Sequence, residues 1–306
     1  MKTFSTNKII IAVFAIMLTT FMISCQKESS LSDNPGTETV TEEEAKTYSE
    51  ESMQAEASFD DVEDVAMIAA EEEGDASTYG RSEGTTGRYL PLFVELRLRI
   101  GSCADITVSP NDSTYPKTIT IDFGTNGCLC PDGKYRRGKI VIHLTAPIRT
   151  PNAVMTVTFV DFYLNRAHIE GTKVVTNLSS NGNIKFTVQV VGGKVTFPSG
   201  RGYTYQGIKH VVQVEGGDTR MIRDDVYQIS GSSQTQFNGG LTVTLNTESP
   251  LVKKVVCHWI SDGVLKIKIN SRVFFLDYGA PNNGDCDNQA LLSWNNGNNQ
   301  LLITLP

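Results

Sequence analysis

The run Gly138-Lys-Ile-Val-Ile-His-Leu144 decides the fold class of this chain. Aliphatic side chains at Ile140 and every second residue to Leu144 alternate with Val141 and His143, which assigns the two sets to opposite faces of a strand. Similar runs recur from about residue 88 to the C-terminus, separated by Gly, Asn, Asp and Pro. We therefore predict strands over Leu92–Ile100, Thr118–Phe123, Gly138–Leu144, Val154–Leu164, Ile184–Val191, Tyr203–Val214, Gly240–Leu245, Val252–Ile260, Val264–Ile269, Val273–Tyr278 and Leu301–Leu305.

Dipeptides that contain glycine separate several of these runs, at the spacing expected for hairpin turns. They are Asn181-Gly182, Gly192-Gly193, Gly216-Gly217, Gly239-Gly240 and Asp262-Gly263. No helical period is evident after residue 90. The pattern predicts an all-β domain over residues 88–306, an antiparallel meander that forms a sandwich, a barrel-like sheet or an elongated sheet.

Charge divides the rest of the chain sharply. The segment Gln26–Gly84 has 18 acidic and three basic residues, a net charge of −15, whereas Thr85–Pro306 has 16 acidic and 22 basic residues, a net charge of +6. A segment so acidic and so poor in aromatic residues is typical of a solvated chain. We therefore expect residues 25–87 to form an acidic flexible stalk.

Helix signals interrupt this acidic segment. Residues Thr41–Glu44 match a capping box, and Ser58–Asp61 repeat the signal. The apolar residues that follow fall near helical spacing, at Phe59, Val62, Val65, Ala66 and Ala69. We predict a short amphipathic helix that docks on the following domain or on a partner, or forms only transiently, because isolated helices below ~12–15 residues are marginal in water. Docking on its own domain is favoured over a partner.

The N-terminus carries an apolar stretch, Ile9–Ile23, behind two lysines. Its length falls below the ~20 residues that span a bilayer but suits the apolar part of a signal peptide. Closed by Met22-Ile-Ser-Cys25, the stretch resembles a bacterial lipoprotein signal. The resemblance implies that residues 1–24 are removed, that Cys25 is lipidated and that the body is tethered to a membrane. The alternatives are an uncleaved anchor helix and an ordinary secretory signal.

A weak internal repeat spans the two ends of the β region. Ile121-Asp-Phe-Gly124 precedes Cys128 much as Leu276-Asp-Tyr-Gly279 precedes Cys286, and each run also has a cysteine upstream, at Cys103 or at Cys257. Glycine-rich turns and an apolar strand follow in both places. The repeat indicates one structural unit at each end of the domain, and chance similarity among hairpins is the alternative.

Five cysteines remain once Cys25 is set aside, which in an exported, oxidising compartment predicts two disulfides and one free thiol. The repeat favours Cys103 with Cys128 and Cys257 with Cys286, which leaves Cys130 free. Cys128 and Cys130 would share one face of a strand, as a metal or redox pair does. Because no second ligand pair follows at zinc-site spacing, structural disulfides are favoured and no metal site is predicted.

Other motifs carry weaker chemical signals. The four histidines lie on separate strands without the spacing of a known catalytic or metal motif: His143, His168, His210 and His258. The pair Asp224-Asp225 suits calcium or acid–base chemistry but lacks a partner at defined spacing. Five aromatic residues would form a sugar-stacking platform on an exposed face, although core packing is favoured: Tyr203, Tyr205, Trp259, Tyr278 and Trp294. We predict no catalytic residue, no cofactor and, without a basic run, no nucleic-acid partner.

A series of motifs in fixed order resembles a family of uncharacterised Bacteroidota lipoproteins. They are Thr118-Ile-Thr-Ile-Asp-Phe-Gly124, Cys128, Pro131-Asp-Gly133, Arg137-Gly-Lys-Ile140, Thr156-Val-Thr-Phe159, Ile169-Glu-Gly-Thr172, Asp225-Val-Tyr227, Cys257-His-Trp-Ile260 and Cys286-Asp-Asn288. Cys130 is additional to this pattern. The family has no established activity, so the resemblance implies an all-β fold and a location. Asp112-Ser-Thr114 is similar to a Bacteroidota O-glycosylation sequon, which makes Ser113 a candidate site.

The residues after the lipidation signal refine the expected location. Gln26–Ser30 looks like the export signals of Bacteroidota surface lipoproteins, so we expect an outer-membrane lipoprotein at the cell surface or on the periplasmic face. A binding or structural module is expected, with a glycan or another envelope protein as candidate partner. An envelope or surface hydrolase is the alternative. Histidine and carboxylates clustered in a deep cleft would favour the enzyme, and an exposed Trp/Tyr platform would favour glycan binding.

Overall fold

The computed structural model describes residues 42–79, 93–180, 184–217, 219, 222–280 and 282–305. The predicted signal peptide, Cys25 and residues 80–87 lie outside these ranges. The described part contains two helices, α1 (Glu42–Tyr79) and α2 (Val94–Ile100), neither of which is long and apolar enough to cross a membrane. Its strands are β1 Asp105–Ser109, β2 Lys117–Asp122, β3 Cys128–Leu129, β4 Tyr135–Leu144, β5 Val154–Leu164, β6 Ala167–Asn177, β7 Lys185–Thr196, β8 Gly202–Glu215, β9 Val226–Phe237, β10 Thr242–Lys254, β11 Asp262–Ile269, β12 Arg272–Asp277, β13 Gln289–Trp294 and β14 Asn299–Thr304.

The fourteen strands form one antiparallel sheet. Thirteen follow one another in chain order from β1 to β14, and the two-residue β3 pairs only with β4. The predicted all-β antiparallel meander is confirmed. Of the three forms that the sequence left possible, a sandwich, a barrel-like sheet or an elongated sheet, the structure has a single open sheet. Apart from β3, each strand pairs with the strands before and after it in the chain, so hairpin pairing accounts for the strand order.

Alternation within each strand separates the two faces of the sheet. Ile140 of β4 lies opposite Ile121 of β2, and Ile142 lies opposite Ile119. These four side chains are fully buried, whereas the outward-pointing His143 is exposed. We call the face that carries the four isoleucines the inner face.

Glycine bulges interrupt the ladders and bend the strands. Gly138 has φ +80°, and a Cβ there would lie 2.0 Å from the carbonyl oxygen of Asp161. The register between β4 and β5 shifts at this glycine, as it does between β6 and β7 at Gly171. Such bulges increase local bend and twist, and only glycine fits both the positive φ and the close backbone approach.

Helix α1 packs along the inner face. Its predicted apolar residues Phe59, Val62, Val65, Ala66 and Ala69 are all buried and join the strand side chains in one hydrophobic core. The phenyl ring of Phe59 stacks on Tyr205 of β8 at a centroid distance of 5.0 Å. The favoured prediction of docking on the same chain agrees with this packing.

Two expectations about the acidic segment need correction. The helix has 38 residues and is therefore not short. Over residues 42–79 the segment is also not a solvated flexible stalk. The apolar stripe of the helix lies in the core, and carboxylates of the same helix pair with lysines of the sheet. Composition suggested solvation because it reports charge without reporting the opposite charges that the fold supplies.

Helix α2 replaces the strand predicted over Leu92–Ile100. Its sequence alternates, but Leu96 and Ile100 are also four residues apart, and both are fully buried on one side of the helix. The carboxylate of Glu72 accepts the backbone N–H groups of Glu95 and Leu96, at 2.9 and 3.0 Å. A helix start is stabilised by such acceptors, and here the acceptor comes from α1, so the local sequence did not reveal it.

Several other strand predictions were incomplete. Five strands were not predicted, namely β1, β3, β6, β9 and β13. Strand β3 has only two residues, and charged or small polar residues obscure the alternation of the other four. Two predicted strands, Gly240–Leu245 and Val252–Ile260, are largely one strand, β10, which continues through an irregular register and ends at Lys254.

The two copies of the internal repeat share a turn and a disulfide. Asp122 Oδ1 accepts the N–H of Gly124 at 2.9 Å, and Asp277 Oδ1 accepts the N–H of Gly279 at 3.0 Å. The first turn is bonded to the later strand β4, however, whereas the second is bonded to the earlier strand β11. The two ends therefore share a turn without sharing a strand arrangement.

The structure joins Cys103 to Cys128 and Cys257 to Cys286, as the sequence predicted. Cys130 is the free cysteine among the described residues and is buried. Burial raises the pKa of its thiol, against the opposing effect of Arg136. The first disulfide fastens the segment after α2 to β3, and the second fastens the loop after β10 to the loop before β13.

Candidate functional site

Lysine side chains of two strands lie on the inner face of the sheet, where they contact α1. Lys117 of β2 lies 2.7 Å from Glu73, and Lys173 of β6 lies 2.5 Å from Glu63. Both lysines are only 1% exposed. Because burial of a charge without a partner is costly, each lysine fixes the position of one turn of the acidic helix.

Asp61 is the centre of this ion network. Arg136 Nη2 donates to its two oxygens at 2.8 and 2.9 Å, Lys134 donates at 2.8 Å and Arg99 at 2.9 Å. Burial acts to raise the pKa of Asp61, but Arg136, Lys134 and Arg99 hold that pKa well below its usual value. Asp132 also binds Arg136, at 2.6 Å. The network joins α1, α2 and β4.

A cleft lies beside this network, between α1 and strands β8 to β10. One wall is a second stripe of α1, which runs at helical spacing through Met53, Ala57, Asp60, Asp64, Met67 and Glu71. The other wall consists of alternate residues of the three strands, among them Val211, Ile229 and Lys253. The cleft has two adjoining hollows of about 170 and 140 Å³.

The larger hollow, which we call the charged hollow, contains cations with different partners. Lys209 contacts Asp60 at 2.7 Å, Lys134 contacts Asp61, and Arg99 contacts Asp61 and Asp64. Each of these cations is therefore neutralised by a carboxylate of α1.

Lys253 differs from the other cations of the cleft. Its Nζ donates to the backbone carbonyls of Cys257 at 2.9 Å and His258 at 2.8 Å, and it forms no ion pair within the part of the chain that is described. Burial, together with Arg99 and Lys134, lowers the pKa of Lys253 against the attraction of the nearby carboxylates. Lys253 belongs to both hollows, so it marks their junction.

The loop after β10 positions the acceptors of Lys253. The disulfide from Cys257 to Cys286 holds this loop, and the next lysine, Lys254, donates to the carbonyl of Gly284 at 3.1 Å. Trp259 and Ile260 from the loop also line the charged hollow. Burial and the cations around it lower the pKa of His258, so this imidazole is neutral near pH 7.

The smaller hollow, which we call the apolar hollow, is lined mainly by hydrocarbon. Its apolar side chains are Met67, Ile68, Val175, Phe186, Val211, Ile229 and Val255. Most of them are only partly buried, because helix and strands do not close on each other here. An apolar recess beside a few convergent polar groups is the usual composition of a small-molecule site.

Glu71 lines the apolar hollow and belongs to a charge cluster in which the carboxylates Glu71 and Asp225 are buried and Arg149 is exposed. Arg149 Nη2 contacts Glu71 at 3.0 Å and Asp225 at 3.6 Å, and Tyr227 donates to Asp225 at 2.8 Å. Burial, with Asp225 and Asp75 adding repulsion, raises the pKa of Glu71 to about 7, against the opposing effect of Arg149. Because this pKa is about 7, Glu71 is partly protonated at neutral pH.

The five aromatic residues that the sequence suggested for a sugar-stacking platform lie in different parts of the structure. Tyr203 and Tyr205 are buried in the core, whereas Trp259 and Tyr278 both line the charged hollow. Trp294 packs near Phe274, at a centroid distance of 5.9 Å. The five aromatic residues therefore form no common platform, but two of them meet in the cleft.

The histidines are likewise dispersed. His143 and His210 lie on the outer face beside threonines, and His168 lies 3.6 Å from Glu170. His258 belongs to the cleft, and Asp225 of the predicted acidic pair belongs to the cluster around Arg149. Ser113, the glycosylation candidate, is exposed in the loop between β1 and β2.

Sequence reasoning missed the residues that build the cleft, chiefly the α1 carboxylates and Lys253. One signal was available: Lys117 occupies the inward register of Ile119 and Ile121, where a cation requires a buried partner. The partners were in the acidic segment, which composition assigned to solvent.

No group of three or more metal-binding side chains converges in the described ranges. Comparisons of the chain with protein-family models, with curated proteins and with solved structures returned no match.

Proposed function

We propose that this protein binds a small ligand at the bacterial cell envelope, where a lipid on Cys25 holds it to the outer membrane. The apolar hollow carries the proposal, because partly exposed apolar side chains converge there beside Lys253. The resemblance to a lipoprotein signal and the two disulfides support an exported protein. The cell surface and the periplasmic face both remain compatible with the export signal.

Rigidity of the cleft walls supports a binding role. Ion pairs fasten α1 to β6, through Glu63 with Lys173, and to the loop between β4 and β5, through Glu71 with Arg149. Both carboxylates line the apolar hollow. A site whose walls are already fixed loses less entropy when a ligand binds. The arrangement suits recognition of a ligand without a large closing movement.

Native mass spectrometry of the full-length protein, released from its own membranes, tests this proposal. We expect the wild type to retain a small molecule and the Ile229→Trp variant, in which an indole fills the apolar hollow, to lose it. Val191→Trp is the matched control, because Val191 is 52% exposed and lies outside the cleft. Identical spectra for the wild type and Ile229→Trp would contradict the proposal.

Glycan recognition is a second form of the binding proposal. Trp259 and Tyr278 line the charged hollow, and aromatic faces there suit stacking on a sugar ring. Titration with envelope oligosaccharides tests this form, with Trp259→Ala expected to weaken binding and Trp294→Ala expected to leave it unchanged.

An envelope hydrolase remains the alternative, and Glu71 is the observation that favours it. A carboxyl group with a pKa of about 7 suits general acid–base catalysis near neutral pH. Asp61 is less suitable, because Arg136, Lys134 and Arg99 hold its pKa well below its usual value. Turnover of an envelope polymer that is lost in Glu71→Gln but kept in Lys253→Met would favour the enzyme.

A further inference from the structure

We propose that the cleft binds a small anionic amphiphile, with a carboxylate or phosphate headgroup on Lys253 and an apolar tail in the apolar hollow. This inference rests on the proposed function, since it names the ligand class for the same cleft.

Lys253 is the side chain available for an anionic headgroup. Two of its three N–H donors are used by backbone carbonyls, which carry no net charge. Among the described residues the ammonium therefore has no counter-ion, and one donor is left for a ligand. The other cations of the cleft, Arg99, Lys134 and Lys209, already contact carboxylates. A ligand anion would therefore displace no ion pair at Lys253.

A cationic headgroup finds no comparable partner. Glu63 is held by Lys173, Asp64 by Arg99 and Glu71 by Arg149. To bind an ammonium, one of these carboxylates would have to leave its own cation unpaired in a partly buried setting. The arrangement of ion pairs in the cleft therefore favours a ligand with a negative charge over one with a positive charge.

The size of the apolar hollow limits the tail. A cavity of about 140 Å³ is comparable to the ~150 Å³ cavity that accommodates benzene, which corresponds to about six carbons. Met67 and Ile68 of α1 face Ile229 of β9 across this space. The tail would cover apolar surface that is now partly exposed to water.

Position links the headgroup to the tail. Lys253 lies directly opposite Tyr227 in the ladder between β9 and β10, and both side chains line the apolar hollow. Val255, two residues after Lys253, lines the same hollow. An anion on Lys253 would therefore lie at the junction of the two hollows, beside the recess that its tail would fill.

Isothermal titration calorimetry on the full-length chain carrying Cys25→Ala tests the headgroup. We expect octanoate and octyl phosphate to bind about tenfold or more tightly than 1-octanol and octylamine. Lys253→Met should remove this preference, whereas Lys194→Met, which alters an exposed lysine outside the cleft, should leave it intact. Equal binding of octanoate and octanol, or full retention of the preference in Lys253→Met, would overturn the inference.

Tail length gives an independent measurement. From butanoate to hexanoate, each added methylene should tighten binding about fourfold, and the gain should diminish once the hollow is full. Ile229→Trp should abolish binding of hexanoate, and Val191→Trp should not. Circular dichroism spectra that match the wild type would show that both variants are folded. Affinity independent of chain length, or inorganic phosphate binding as tightly as octyl phosphate, would show an anion site without a tail and would refute the amphiphile.

The two proposals fail in different ways. Retention of a cellular small molecule by the wild type but not by Ile229→Trp, with no binding of octanoate or octyl phosphate, would overturn the ligand class and keep the cleft as a binding site. No retained molecule and no amphiphile binding would overturn both.

Discussion

Arg136 donates through one guanidinium nitrogen to both carboxylate oxygens of Asp61, at 2.8 and 2.9 Å, across 75 residues of sequence. Both side chains are almost completely buried, at 0% and 1% exposure. The contact fastens the middle of α1 to β4 and lies beside the charged hollow. An ion pair this deep is costly to break, because removal of one partner leaves the other charged and buried.

Asp61→Ala should therefore lower the free energy of unfolding by about 3–5 kcal/mol. Urea unfolding followed by circular dichroism measures the change. Glu170→Ala is the matched control, because Glu170 pairs with Lys194 at 3.1 Å with both side chains about half exposed. Its expected cost is about 1 kcal/mol or less. Similar costs for the two variants would show that burial of the Asp61 network contributes little.

Glu71 should make stability depend on pH. Its pKa rises from an ordinary 4.5 to about 7 in the folded state, so the folded protein binds more protons than the unfolded chain between these values. The free energy of unfolding should thus fall as pH rises through this window, by at most about 1.4 kcal/mol per pH unit, and should level off above about pH 7.

Glu71→Gln isolates this contribution, because the amide keeps the shape and does not titrate. We expect the unfolding free energy of the wild type minus that of the variant to fall as pH rises from about 4.5 to about 7, in measurements from pH 4 to 8. The charged groups around Glu71 are Arg149, Asp225 and Asp75, and all remain in the variant. A difference that is constant with pH would contradict a raised pKa for Glu71.

The disulfide between Cys257 and Cys286 should affect both stability and binding. Loop-closure entropy predicts a loss of about 3.5 kcal/mol when both cysteines become serine, at the sequence separation of 29. The same change should weaken octanoate binding, because the carbonyls that hold Lys253 belong to the released loop.

Serine substitution of Cys103 and Cys128 is the companion experiment. Their separation of 25 predicts a similar stability loss, but neither cysteine lines the cleft, so octanoate affinity should not change. Non-reducing peptide mapping checks the connectivity directly. A peptide linking Cys128 to Cys257 would contradict both disulfides of the structure.

Cys25→Ala should release the protein from membranes. Lipidation at this thiol would hold the chain in the bilayer, since each buried methylene contributes about 0.8 kcal/mol. Fractionation of cells into membrane and soluble material, followed by immunoblotting, measures the distribution. Membrane retention of the variant at the wild-type level would argue for another anchor.

Local patterns predicted the parts of the fold that depend on local physics. Alternation in Gly138–Leu144 predicted a strand with one buried face, and the 3.6-residue spacing after Phe59 predicted a buried stripe of α1. The error at Leu92–Ile100 has the same origin, because a short apolar run suits both periods. Glu72, from another element, supplies the acceptor at the start of α2.

The cleft was not predictable in this way. The acidic residues of α1 suggest a solvated stalk when the sequence is considered alone. The structure shows that Arg136, Lys173 and Lys209 neutralise several of them. Lys253 is one of many lysines in the sequence. That it has no acidic partner within the described ranges becomes visible only after the other cations of the cleft have been paired. A pairing of this kind depends on distances between residues far apart in the chain.

By itself, the sequence determined an all-β meander with one buried face, an amphipathic segment able to dock on it, and a cysteine spacing consistent with two disulfides. Those features follow from side-chain period and turn chemistry, which act over a few residues. The tertiary structure decided that the acidic segment is a helix held in the molecule by buried cations. It also decided that Lys253 meets an apolar recess, because charge pairing and the shape of a cleft arise only when distant segments are brought together.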